Sequence, residues 1–331
     1  MIIFQIIIII IYLFFILGYS YILITPGILF GHTSIISYAK TLTQSFATMG
    51  LINNFKLGQT MQNIKKLINE NTNKIDIIVC NHISIFDFYL LACYLKEFEI
   101  DSYNIVLKNE LVYFPGLGYM IFANSNIRLY RNWDQDIKKL EKQLNTIKLN
   151  GKKQVILIFP EGTRISDQKI KEGQKFSKLN NLPVYENLLV PKSKGLWFII
   201  NKLSNTNKLG RIWDVTLILP KKLDYSNKLG KSIDDVNAIW REVVLDKNYK
   251  DLNIFKSWLI NLWVTKDSLI KNHKKIIYNQ IYPKLNVKLS EKINIVIILL
   301  GFFGLLMNKY GRYYLLCSFI LSYILIFYNI L

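Results

Sequence analysis

Runs of apolar residues divide the chain into a long hydrophobic start, a mixed body and a hydrophobic end. Ile2 to Ile24 is apolar almost throughout, with Gln5 and Ser20 as its clearly polar side chains. A helix rising ~1.5 Å per residue crosses a ~30 Å hydrocarbon core in ~20 residues, so this segment is long enough to span. No basic residue precedes the run and no good cleavage site follows it. That pattern points to a transmembrane signal anchor that stays attached, with a buried core helix as the competing reading. Between Gly31 and Leu57 apolar residues mix with Ser, Thr and few charges, as in a segment lying in the membrane interface. At the far end, Ile293–Met307 and Tyr313–Leu331 are apolar runs, and Asn308–Arg312 between them reads as a tight polar turn. They predict a hydrophobic helical hairpin. Its first arm is short for a full span, so a crossing and a re-entrant hairpin both stay open.

The pattern of the body is different. Short apolar runs at Ile75–Cys80, Asn104–Leu107, Ile127–Tyr130 and Val155–Phe159 read as buried strands. Leu188–Val190 and Val215–Leu219 are similar, each stopped by a proline, Pro191 and Pro220. Helical patterns follow at Ile85–Leu95 and at the charged stretch Asp134–Leu149. Val236–Lys275 reads as helical, with Trp240, Trp258 and Trp263 on apolar positions. Short buried strands alternating with amphipathic helices predict an α/β layered domain, a mixed sheet flanked by helices. The expected organisation is an anchor at 1–24, an interfacial connector at 25–72, a catalytic domain at 73–275, a second connector at 276–292 and the hairpin at 293–331.

Charge adds an orientation. The chain holds 42 Lys+Arg against 23 Asp+Glu, a net charge of +19, yet 51% of it is hydrophobic. Such apolar content excludes intrinsic disorder as the main theme, and three cysteines build no disulfide framework. Basic and apolar together suit an anionic membrane surface or a nucleic-acid binder with membrane anchors. Heavy use of Ile, Asn and Lys throughout reflects composition bias, which weakens the nucleic-acid reading. Met1 to Ala39 carries no charged side chain, whereas Lys40, Lys56, Lys65 and Lys66 follow the first apolar run. The positive-inside rule therefore places the body on the cytosolic side of an integral membrane protein.

Candidate chemistry is sparse, which narrows the choice. Three histidines, His32, His82 and His273, offer no pair at metal-ligand spacing, and no CxxC exists. No phosphate-loop or nucleophile-elbow motif is present. Cys80 alternates with its strand and reads as core. His82, directly after a strand, stands five positions before Asp87 in Asn81-His82-Ile83-Ser84-Ile85-Phe86-Asp87. One reading is a plain helix start, Ser84 capping and Asp87 completing a capping-box-like pair. The other is a general base with an orienting carboxylate, acting on a hydroxyl of the substrate. On one continuous helix the two side chains would diverge by ~140°, so this second reading needs His82 in the turn before the helix. A second cluster, Phe159-Pro160-Glu161-Gly162-Thr163-Arg164, also follows a strand. Gly162 allows close backbone approach, Thr163 offers a hydroxyl, and Arg164 carries a planar fork suited to phosphate.

NHxxxxD followed by FPEGTR resembles the 1-acylglycerol-3-phosphate acyltransferase family of glycerolipid acyltransferases. The resemblance covers roughly residues 75–270. It implies that His82 and Asp87 are the catalytic pair, and that Glu161, Gly162, Thr163 and Arg164 help bind the acceptor phosphate. Lys108 through Pro115-Gly116-Leu117-Gly118 to Arg131 looks like the segment between those motifs that ends in an acceptor-binding arginine. That role falls on Arg131, with Arg128 as competitor. Leu188-Leu189-Val190-Pro191 looks like the motif on the acyl-donor side, which places Pro191 there. Tyr185–Gly195, Trp213-Asp214-Val215-Thr216 and Trp263-Val264-Thr265-Lys266-Asp267 are similar to the eukaryotic lysocardiolipin and lysophosphatidylinositol acyltransferase branch. Lys192 departs from the arginine more usual there after the proline.

The resemblance implies an enzyme that moves a fatty acyl group from acyl-CoA, as co-substrate, to a lysophospholipid hydroxyl. It implies no other cofactor, no metal and no nucleic-acid partner. Its partners would be the acceptor, the donor and the lipid bilayer, in a membrane of the endoplasmic-reticulum type. Two rival classes are a lipid ester hydrolase using the same His/Asp pair on water, and a non-catalytic basic membrane-binding protein.

Overall fold

The computed structural model describes residues 60–218, 237–273 and 289–327, with short interruptions at 71–72, 85–86, 101, 115–117, 119–120, 122–124, 148 and 150, together with residue 22. The signal anchor read at 1–24, save residue 22, and most of the 25–72 connector fall outside these residues, as does most of the 276–292 connector.

Strand β1 (Ile75–Cys80) is buried along its whole length. It lies between two parallel neighbours, β4 (Gln154–Ile158) and β5 (Leu209–Ile218). Beyond β4 come β2 (Ser102–Lys108) and β3 (Ile127–Leu129), also parallel, while β6 (Asn237–Val243) closes the other edge antiparallel to β5. The order β3-β2-β4-β1-β5-β6 makes a mixed, six-stranded sheet.

A strand buried on both faces is apolar at successive positions, and β1 shows it from Ile77 to Cys80, while the buried Asp76 before them is paired with Lys153 at 2.6 Å. Ile75, Ile77 and Val79 face one core with Ile156 and Ile158; Ile78 and Cys80 face another with Val155 and Leu157. Helices α1 (Thr60–Asn69) and α2 (Asp87–Glu97) cover the second core through Ile64, Ile68, Leu90, Leu91, Tyr94 and Leu95. Helix α1 thus packs into the body although it lies within the 25–72 stretch. The first core is covered by α3 (Trp133–Thr146), α5 (Ser193–Asn205) and α6 (Leu252–His273). Helix α4 (Asp167–Leu179) precedes α5.

This topology creates a site. After β1 the chain enters α2 on one face; after β4 it proceeds to α5 on the other. Adjacent parallel strands whose connections leave to opposite faces open a crevice at their carboxyl ends. The register pairs Val79 with Ile158, so Asn81-His82 and Phe159-Pro160-Glu161 emerge side by side.

Three sequence expectations are corrected. Leu188–Val190 is not a strand; its backbone is engaged by a carboxylate, as described below. Val236–Lys275 is not one helix, because residues 237–243 form β6 before α6 begins at Leu252. Ala238 and Trp240 pack with one core, Ile239 and Val243 with the other, an alternation that only a strand supplies. The polar stretch 308–312 is mostly helix: α7 (Leu289–Met307) and α8 (Lys309–Phe327) are separated by Asn308 alone. The Asn308 side-chain oxygen accepts the Tyr310 amide at 2.8 Å and starts the second helix. Gly311 makes the bend possible, since a Cβ there would stand 2.3 Å from the Leu305 carbonyl oxygen. The outer surface of the pair exposes Val296, Ile297, Leu300, Phe303 and Ile320. Among the described residues no helix is long and apolar enough to cross a membrane.

Candidate active site

Asp87 opens α2, and His82 lies in the turn before it. The helical divergence of residues five apart therefore does not apply. His82 Nδ1 stands 2.9 Å from Asp87 Oδ2. That same oxygen accepts the amides of Ile83 at 2.5 Å and Ser84 at 2.8 Å. One carboxylate oxygen thus folds the turn and holds the ring. With both backbone partners donating, the imidazole must donate from Nδ1, leaving Nε2 as the lone-pair nitrogen. The His82 ring stacks on Phe159, centroids 4.6 Å apart, and its side chain is 22% exposed against 0% for Asp87. Burial raises the Asp87 carboxyl above its ordinary value, outweighing the hydrogen bonds from His82 and the two amides. Its other oxygen, Oδ1, is buried and finds no hydrogen-bond partner among the described residues. A carboxylate in that condition gains most when a positive charge develops on the imidazole.

The Phe159–Arg164 turn closes against this pair. The Ile165 amide donates to the His82 carbonyl at 3.0 Å, and the Gly162 amide to the Phe159 carbonyl at 2.9 Å. Gly162 has φ +67°, a left-handed conformation that glycine adopts without strain. Glu161 points inward at 2% exposure. Its two oxygens accept the amides of His82 and Leu189, each at 3.4 Å. Burial pushes its pKa up to about 8, against the pull of those amides and of Lys266. The Leu189 amide is thereby spent on Glu161 rather than on a strand ladder, and the Lys192 amide donates to the Pro160 carbonyl at 2.8 Å. Pro191 is buried beside this seam.

Cations gather around Gly162. Arg131 Nη2 donates to the Gly162 carbonyl at 3.1 Å. Lys169, from the first turn of α4, donates to Thr163 Oγ1 at 2.6 Å and to the Arg164 carbonyl at 3.3 Å. Lys192 Nζ lies 3.6 Å from where a Cβ on Gly162 would stand. Lys108, at the end of β2, is pushed below its ordinary value by burial and by Arg131, Lys169 and Lys192, against Glu110. Among the described residues no carboxylate forms an ion pair with any of these four. Like charges held together without acids cost free energy that an anionic ligand recovers. Arg164 is exposed at the rim, whereas Arg128 is half-buried on β3, its backbone amide accepted by Gln143 Oε1 at 2.8 Å.

The structure therefore brings His82, Asp87, Glu161, Gly162, Thr163, Arg131 and Pro191 to one crevice. Glu161 faces backbone amides rather than open space. Lys169 was not singled out in the sequence; nothing local marks it, and only the return of α4 from the turn brings it to Thr163. Among the described residues no group of acidic, His or Cys side chains could hold a metal ion.

Comparison with known proteins matches residues 60–216 to the family model described as acyltransferase. Lysophosphatidylinositol acyltransferase 10 of Caenorhabditis elegans is 27% identical over 201 residues, 59% of this chain and 51% of that protein. A probable 1-acyl-sn-glycerol-3-phosphate acyltransferase 5 of Arabidopsis thaliana is 28% identical over 204 residues, 59% and 52% of the two chains. Lysocardiolipin acyltransferase 1 of Gallus gallus is 29% identical over 153 residues, 46% and 40%. The chain spans about half the length of the first two of these relatives. Both motif clusters of the crevice fall inside the region that matches the acyltransferase family model.

Proposed function

We propose that this protein transfers a fatty acyl group from acyl-CoA to the free hydroxyl of a lysophospholipid. The single observation that carries the reading is the His82–Asp87 hydrogen bond beside a turn, Gly162–Arg164, on which Arg131 and Lys169 converge without a paired carboxylate among the described residues. In the proposed reaction His82 Nε2 takes the proton from the acceptor hydroxyl as its oxygen attacks the thioester carbonyl carbon. Asp87 holds the Nδ1–H tautomer and stabilises the imidazolium. The C–S bond then breaks, and the CoA thiolate leaves with the proton returned from His82. The steps need no acyl-enzyme and no cofactor beyond the donor itself. Arg131 and Arg164, with Lys108, Lys169 and Lys192 around Gly162, hold the acceptor phosphate and so position its hydroxyl.

The names of the relatives support a lysophospholipid or lysophosphatidate acceptor. The bilayer is the second proposed partner. Residues 1–24 act as its anchor, the 25–72 stretch up to α1 and the 276–292 stretch connect, and the apolar 293–331 hairpin enters the membrane as a re-entrant element. The 73–275 domain works on the cytosolic face of an endoplasmic-reticulum-type membrane, where acyl-CoA is available.

Incubation of the purified protein with acyl-CoA and a panel of lysophospholipids tests the reading. Acceptor-dependent release of free CoA thiol with a diacyl product is expected. Release of free fatty acid without a diacyl product would identify a hydrolase instead.

A further inference from the structure

Three segments that resemble one acyltransferase branch, Tyr185–Gly195, Trp213–Thr216 and Trp263–Asp267, meet in space, and of their residues only Lys192 has a part in the proposed chemistry. Lys266 of α6 is fully buried. Its Nζ donates to the Val215 carbonyl at 2.6 Å and to Thr216 Oγ1 at 3.2 Å, and pairs with Asp214 Oδ1 at 2.5 Å. Asp214 is in turn paired with Arg241 of β6. The helix is thus pinned to β5 at one register. The next residue, Asp267, turns the other way. Its Oδ2 accepts the Glu186 amide at 3.0 Å; its Oδ1 accepts the Asn187 amide at 2.8 Å and the Asn187 side-chain amide at 3.1 Å.

What Asp267 holds leads into the crevice. From Asn187 the chain runs through Leu189, whose amide meets Glu161, to Lys192, whose amide meets Pro160 and whose ammonium lies over Gly162. This stretch forms no strand, so ladder hydrogen bonds do not fix it. A carboxylate accepting two successive amides supplies that restraint from outside. We infer that Asp267 is a positioning residue for the acceptor site: anchored through Lys266, it sets the 186–192 segment so that Lys192 faces Gly162 among the cations. The inference rests on the function proposed above and adds a residue far from the chemistry that governs acceptor affinity through Lys192.

The test is a double-mutant cycle on the full chain, measuring acyl transfer with acceptor and donor varied separately. Asp267→Ala should raise KM for the lysophospholipid about tenfold, the effect of losing roughly one charge-assisted contact, with kcat and the acyl-CoA KM little changed. Lys192→Ala should do the same. Because both changes remove one interaction, the double variant should be no worse than Lys192→Ala alone. Asp267→Asn keeps one acceptor oxygen for the Asn187 amide and should fall between wild type and Asp267→Ala; it carries the test if the alanine variant does not fold. Additive effects in the double variant, or a fall in kcat with both KM values unmoved, would overturn the inference while wild-type transfer stood. Absence of transfer by the wild-type protein would instead remove the function on which it rests.

Discussion

Asp87 carries two jobs on one atom. Its Oδ2 collects the Ile83 and Ser84 amides as a capping residue does, and takes the His82 Nδ1–H as an orienting carboxylate does. One side chain thus makes the contact to the Ser84 amide that the first reading gives it and the contact to His82 that the second requires. The spacing of five was legible; that His82 lies ahead of the helix rather than within it was not, because capping signals fix helix starts only to within a residue or two. Glu161 shows a different limit. The hexapeptide marks it as special, but its inward orientation depends on Leu189, 28 residues away. The raised pKa makes a prediction. In the unfolded chain this carboxyl titrates near 4.5, in the fold at about 8. Between those values the native state binds more protons, so the stabilisation is complete below 4.5, erodes as pH rises, and is gone once pH has passed about 8. Glu161→Gln should flatten the fall in stability across that window, as followed by urea denaturation at a series of pH values. Parallel wild-type and variant profiles would contradict the assignment.

At the scale of elements, the buried strands β1 and β4 were readable because short, mostly apolar runs bounded by polar residues suit a two-faced sheet, and the half-buried β2 and β3 carry shorter runs of the same kind. Strand β6 was not. Asn237–Val243 contains Ile, Trp and Val in a stretch short enough to fit either period, and its pairing with β5 decides the matter. Leu188–Val190 fails in the opposite sense: its composition is strand-like, but Asp267 and Glu161 take the local amides. The join between β5, β6 and α6 rests on Asp214, which is fully buried between Lys266 and Arg241. Removing it strands the Lys266 charge in the core. Asp214→Ala should therefore lower unfolding free energy by about 3–5 kcal/mol, read from urea denaturation. A loss under about 1 kcal/mol, the range of a surface pair, would show that the join does not depend on this charge.

The whole molecule combines a basic body with apolar ends. The net charge of +19 is spread by the lysine-rich composition, yet Arg131, Lys169 and Lys192 converge on one turn, Gly162–Arg164. The fold explains why they meet there: β2, β3, β4 and α4 all deliver residues to the carboxyl edge of the sheet, between the two strands whose connections part. The same edge receives His82 from β1, which gives the account its central claim, that this histidine is the base for acyl transfer. The most direct test compares wild-type protein and His82→Ala in formation of a diacyl phospholipid from acyl-CoA and a lysophospholipid, with unfolding of both followed in parallel. The account predicts a loss of about 10²–10⁴-fold in transfer with the unfolding transition unchanged, the usual effect of removing a general base. Turnover close to wild type by a folded His82→Ala protein would contradict it.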